Sequence, residues 1–236
     1  MAGAAGGGSH EHRRSLSAVM SGRVAAVSAS PPAGPRIAPG TPAEIGRLNT
    51  AITRVLGAAT GGGPPNVFTT LARHRGLFRP WLRFAGALMP GGRLPRIDTE
   101  LLILRVAHNC GCDYEFDHHD RLGREAGLTP ADVERVRRGP GDEGWAPDRA
   151  LLLRAADELH AQRTLSDELW AALRPGRSDA ELIELCMLVG HYEMLAMTIN
   201  ALGVQRDAPP SARPSPGVRL VRAVARRRTR STPRSA

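Results

Sequence analysis

Residues 100–127 read ELLILRVAHNCGCDYEFDHHDRLGREAG, and two helices can be read from them. Asp98 and Thr99 precede the first, a strongly apolar segment from Glu100 to about His108, and Asn109-Cys110-Gly111 break it. The second runs from about Cys112 to Ala126, with Gly127 as its stop. At about 100° per residue, Cys112, Glu115, Phe116, His119, Leu122, Gly123 and Ala126 share one stripe of that helix. Asp113, Tyr114, Asp117, His118, Asp120, Arg121, Arg124 and Glu125 fall on the opposite face. The solvated residues gather there, so the stripe should face the interior. A thiol, a carboxylate and an imidazole in a buried stripe would cost several kcal/mol of desolvation unless they pair with one another or line a pocket. They form the candidate site.

Helical patterning extends outward from this stretch, with no convincing period-2 alternation. Pro42 opens a helix predicted to reach about Ala58, and Gly61-Gly62-Gly63-Pro64-Pro65 break the chain after it. Two short helices are expected over 66–74 and 78–89, the second with Pro80 near its start. Thr129 and Pro130 cap and open another, residues 139–147 form a loop, and 148–162 and 166–173 read as helical. Ser178-Asp179-Ala180-Glu181 is a capping box that opens the longest helix, which ends at Leu202 before Gly203. From Leu182 onward this helix is apolar nearly all round, as expected of one buried in a bundle or between subunits. The expected fold class is therefore all-α, a helical bundle oligomerising through helices.

Composition sets the boundaries. Of the 236 residues, 42% are apolar, a little below the globular norm because both ends lack core-forming types. Residues 1–40 and 207–236 are read as disordered extensions, leaving 41–206 as one folded domain. The net charge of +9 belongs to those ends: four Arg against one Glu in the first, eight Arg against one Asp in the second. The folded segment is close to neutral, which argues against specific nucleic-acid binding. The basic tail (Arg226, Arg227, Arg228, Arg230) reads as a solvated low-complexity segment. Three cysteines, an odd count, argue against a disulfide-stapled secreted protein. No apolar run approaches the roughly 18 residues that span a bilayer, and Arg23 interrupts the stretch 13–30 that would otherwise resemble a signal peptide. The expected location is the cytoplasm, with no membrane partner.

Each remaining candidate has a plain alternative. Glu100 shares an apolar side with Ile103, Leu104 and Ala107, yet a first-turn glutamate also stabilises a helix dipole. Arg105 points toward Asp98 and His108, as in a surface or interface salt bridge. Cys112 follows Gly111 at a helix N-terminus, where unpaired N–H groups favour a thiolate, but free cysteine is often only a small buried residue. Cys110 and Cys112 form a C-x-C pair poorly spaced for a disulfide within one helix. His119 lies one turn after Glu115, which could set its tautomer and raise its basicity. His118 accompanies Tyr114 on the polar face. His191, near Glu184, Leu188 and Leu195 on the long helix, is either a second pocket residue or a hydrogen-bonded core histidine. A metal at His119, Glu115 and Glu100 would lack any H-x-x-x-H or cysteine-pair framework, so none is expected.

The segment from Glu100 to His119 resembles the signature of the carboxymuconolactone decarboxylase family, which includes the alkylhydroperoxidase D-like proteins. Asn66–His74 upstream, and Val189–Tyr192 with Asn200–Gly203 downstream, fit the same family, so the resemblance spans about residues 40–205. It implies an all-α fold of the alkylhydroperoxidase D-like type and a homo-oligomer (dimer, trimer or hexamer). The family's peroxidase branch uses a Glu, a C-x-x-C pair and a His four residues on. These positions are Glu100, Cys112, Glu115 and His119 here, so a glutamate replaces the second cysteine and the disulfide cycle loses a thiol unless Cys110 substitutes. The decarboxylase branch tolerates that glutamate and needs no cofactor.

The expectation is thus a cofactor-independent lyase moving a proton on a small acidic or carbonyl/lactone substrate. Its catalytic candidates are His119, Glu115, Glu100 and Cys112. Its substrate-contacting candidates are Tyr114, Phe116 and His191. No arginine is clearly placed for a substrate carboxylate. The rivals are a thiol-dependent peroxidase or disulfide reductase and a non-catalytic ligand binder.

Overall fold

The computed structural model describes residues 34–60 and 62–208. Its helices are α1 (Pro42–Ile45), α2 (Arg47–Thr60), α3 (Asn66–Leu71), α4 (Arg75–Leu88), α5 (Arg96–Asn109), α6 (Asp113–Ala126), α7 (Pro130–Arg138), α8 (Pro147–Gln162), α9 (Asp167–Leu173) and α10 (Asp179–Leu202). No strand occurs among the described residues, as the all-α reading expected.

The bundle is organised around α5, which packs against α6, α7, α8 and α10. Leu101, Leu102, Ile103, Leu104, Val106 and Ala107 are each no more than 1% exposed, so this helix is surrounded on every side. An all-round apolar sequence requires that, because any face turned to water would forfeit its burial. On one side, Leu102, Ile103 and Val106 join Leu152, Leu169, Leu173, Leu185 and Leu188 of α8, α9 and α10. On the other, Leu101 and Leu104 meet Phe116, Val133, Val136 and Leu153 of α6, α7 and α8.

The reversal between α5 and α6 places the site. Gly111 takes a φ of +57°, a left-handed conformation that side chains disfavour, and the Cys112 amide then bonds Ala107 O at 2.8 Å. The two helices therefore return alongside each other. They also lie close: a Cβ on Gly123 would sit 2.8 Å from Leu128 Cδ1 and 3.6 Å from Glu100 Cβ. Further along the chain, Thr129 caps α7 as expected, within a capping box completed by Asp132, and Ser178 forms the expected capping box of α10.

Several boundaries depart from expectation. The helix predicted over 42–58 is two helices, separated at left-handed Gly46. Pro80 lies inside α4 rather than near its start. The apolar helix begins at Arg96, so Glu100 belongs to its second turn and is not a first-turn dipole partner. The folded unit begins before residue 41: the Arg36 and Ile37 amides bond Leu202 O, and the Gly40 amide bonds Thr69 O. At the other end, Asp207 bonds Asn66 and Tyr114, so it too belongs to the folded part. Residues 1–33, which hold the segment weighed as a signal peptide, and the Arg-rich tail from 209 onward lie outside the described residues. Helix α10 is long and apolar enough by composition to cross a membrane, contrary to the sequence expectation, and half of its most apolar stretch is buried in the bundle.

Candidate active site

Glu100 is completely buried on α5, and its Oε2 lies 2.7 Å from Nδ1 of His119 on α6. One turn earlier on α5, Arg96 brings a guanidinium nitrogen to 2.5 Å from Glu100 Oε1. The carboxylate is thus held between a guanidinium and an imidazole. A carboxylate accepting from Nδ1–H fixes the tautomer and leaves Nε2 as the basic nitrogen. No other polar group of the described residues hydrogen-bonds this ring.

A wall of aromatic rings continues from His119. Tyr192 of α10 meets its ring edge-on at a 5.1 Å centroid distance, and His191 meets Tyr192 at 5.1 Å. Trp81 and Phe84 of α4 flank His191 at 6.0 and 5.3 Å. Burial pushes His191 down to about 4, with a further push from His119, so its ring is neutral at physiological pH. Its Nδ1 is buried without a hydrogen bond, which the hydrogen-bonded core reading did not anticipate. Burial likewise raises the Tyr192 phenol well above its ordinary range, with Glu100 and Glu115 adding to the shift.

Glu115 is 3% exposed, and neither of its carboxylate oxygens has a hydrogen-bond partner among the described residues. Burial raises its pKa well above the carboxylate range, opposed only by the neighbouring Cys112 thiol, and so favours the protonated form. The pairing partner of His119 is therefore Glu100, not Glu115 one turn away on the same helix.

The thiols are not poised as nucleophiles. Cys112 does cap α6, but burial and then the Glu115 charge push it up to about 12, which outweighs the expected help from the helix end. Cys110 is also pushed up to about 12, by burial and then by Glu193. Among the described residues all three cysteines are free.

Three other expectations are corrected. Tyr114, assigned to the polar face, is buried because α3 and the segment around Asp207 cover it: its hydroxyl accepts from Val67 N and donates to Asp207 Oδ2 at 2.7 Å. Phe116 packs in the core with Leu101, Leu104 and Val136, under the Arg137 guanidinium, and is not part of the aromatic wall. Arg105 pairs with Asp157 and Val136 O rather than with Asp98 or His108. His118 is packed beside His119, and burial lowers it to about 3. A cavity of about 560 Å³ lies on the outer face of α6, lined by Tyr114, Asp117, His118, Arg121 and Arg206. The buried dyad faces the other way, so this volume belongs to a separate surface.

Arg96, Trp81, Phe84 and Tyr192 are the members of the site that sequence reading missed. Only Arg96 carried a signal, its i, i+4 spacing to Glu100.

Residues 75–158 match the family model of the carboxymuconolactone decarboxylase family. Among solved structures, it is similar to a peroxidase-related protein from Silicibacter sp. TM1040, with 16% identity, a TM-score of 0.68, and 80% of this chain and 100% of that chain covered. It is also similar to the alkylhydroperoxidase AhpD core of a peroxidase-related protein from Ralstonia eutropha JMP134, at 20% identity and TM-score 0.63, covering 79% and 97%. A third likeness is to the debrominase Bmp8, at 15% identity and TM-score 0.60, covering 78% and 97%. These likenesses show that the fold is of the alkylhydroperoxidase D-like type. No match was found among curated proteins.

Proposed function

We propose that the protein is a cofactor-independent acid–base enzyme of the decarboxylase branch, acting on a small substrate with a carboxylate next to a carbonyl or lactone. The observation that carries this reading is the Arg96–Glu100–His119 chain, in which Glu100 and His119 are buried and Arg96 is half-exposed. Arg96 braces the Glu100 carboxylate, Glu100 orients His119 through Nδ1, and Nε2 exchanges a proton with the substrate. When the C–CO2 bond breaks, its electron pair is held as an enolate and CO2 departs. Protonated His119 then delivers its proton to that carbon. The Glu115 carboxyl, in the protonated form that burial favours, and the Tyr192 phenol are donors for the enolate oxygen, in a site where burial strengthens such bonds. The half-exposed Arg96 is also the cation that places a substrate carboxylate.

The thiol-dependent alternative requires two reactive thiols, whereas burial keeps Cys110 and Cys112 protonated. An assay of small lactone acids without added reductant tests the choice. Release of CO2 with all three thiols still titratable is expected. Turnover of peroxide that consumes two thiols reversibly, with no CO2 from any acid, would favour the antioxidant reading instead. A Cys-to-Ala variant of the debrominase Bmp8 is known in complex with 2,3,4-tribromopyrrole, so brominated pyrroles belong in the same panel.

The second copy expected of this family would cover α10. Ile183, Met187, Gly190, Met194, Met197 and Ala201 recur at alternating steps of four and three along its exposed side, the spacing of a helix–helix seam.

A further inference from the structure

Outside the dyad, three helices converge a second set of donor atoms. Cys110 caps the C-terminus of α5, His160 lies near the end of α8, and Glu193 is in the middle of α10. Cys110 Sγ is 3.9 Å from His160 Nδ1 and 3.6 Å from Glu193 Oε1, and His160 Nδ1 is 2.5 Å from the same Oε1. Three different donor types thus point at one spot, all within 4.8 Å of one another.

We propose that Cys110, His160 and Glu193 bind a zinc-class divalent transition-metal ion, with the fourth coordination position open to solvent.

The donor set is the first support. Thiolate, imidazole and carboxylate are the zinc ligands, and a tetrahedral ion with bonds of about 2.0–2.3 Å separates its donors by roughly 3.3–3.6 Å. Both sulfur edges are within a few tenths of an ångström of that. The nitrogen–oxygen edge is shorter because a proton now bridges those atoms, and an ion would displace it.

The surroundings give the second support. Glu193 uses Oε1 toward the cluster, while Arg163 holds Oε2 at 2.5 Å, the outer partner a ligating carboxylate ordinarily has. Arg163 reaches back because its φ of +62° turns the chain at the end of α8. Asn200 donates to Cys110 O at 3.0 Å and fixes the backbone that presents the thiol. A third of the His160 side chain is exposed, which leaves the ion a path to solvent.

Without metal this cluster is a Glu193–Arg163 ion pair with His160 hydrogen-bonded to Glu193, beside an inert thiol. Burial would raise Glu193, but hydrogen bonds from His160 and Arg163 hold it below its ordinary range. The thiol must lose its proton to bind, so affinity should rise with pH.

Titrating chelator-stripped, full-length protein with Co2+ tests this. One equivalent should produce a near-ultraviolet thiolate-to-cobalt charge-transfer band that Zn2+ then abolishes. Cys110→Ser should remove the band, and His160→Ala should weaken binding by about a hundredfold or more while Cys112→Ser leaves it intact. Zn2+ should raise the Tm of the wild type and not that of His160→Ala, a position one-third exposed whose variant keeps the buried core unchanged. No band at millimolar Co2+, a band that survives Cys110→Ser, or binding without a thiolate band would overturn the proposal.

Discussion

Glu115 is a buried carboxyl beside Cys112 whose oxygens have no hydrogen-bond partner among the described residues. Its folded pKa is raised, so the folded state holds a proton that the unfolded chain releases above its ordinary pKa of 4.5. Its contribution is therefore intact below that pH and is lost as pH rises toward the folded value. His191 has the opposite sign: its folded pKa of about 4 is below the ordinary 6.5, so stability is lost as pH falls through that window. Urea denaturation between pH 4 and 9 should thus show a maximum. Glu115→Gln should flatten the alkaline limb and raise stability at pH 8, while His191→Asn should flatten the acid limb; an unchanged profile in both would contradict the burial argument. Glu115 and His119 were legible as residues of one stripe because a single helix presents both. Their pairing was not, since nothing within one helix indicates that Glu100 of its neighbour takes the imidazole. Tyr192, Trp81 and Phe84 left no signal for the same reason: they converge from helices distant in sequence.

At the scale of elements, the site depends on how closely α6 lies along α5. Gly123, one turn beyond His119, would place an added Cβ in ordinary contact with Glu100 Cβ at 3.6 Å and in overlap with Leu128 Cδ1 at 2.8 Å. Gly123→Val should push the helices apart, cost about 1–3 kcal/mol of stability by overpacking, and lengthen the Glu100–His119 bond. Urea denaturation and turnover both report it. Leu128→Ala in the same chain should recover part of the stability, and a variant as stable and active as the wild type would show that the close approach is dispensable. The order of the elements was readable from caps and glycine stops such as Ser178, Thr129 and Gly127, whose chemistry is local. The break at Gly46 and the four extra residues at the start of α5 were not. There, the wrapping of α5 by its neighbours extends the helix past the polar Asp98 and Thr99 that suggested a start.

For the whole molecule, the unpartnered side of α10 and the buried dyad make separate demands. Gly190 sits mid-helix where an added Cβ would meet nothing, although glycine there costs about 1 kcal/mol relative to alanine. A second α10 crossing at that point would use the space. Light scattering at micromolar concentration should find an oligomer that Met194→Glu reduces to a folded monomer; a monomeric wild type, or an assembly indifferent to Met194→Glu, would contradict the seam. The proton-transfer reading has a more direct test, made in D2O with the best lactone acid of the panel. The wild type should release CO2 and place one deuterium on the carbon that lost it. His119→Ala should lower that rate by about a hundredfold or more at unchanged helix content. Undiminished turnover and labelling in His119→Ala would contradict the account.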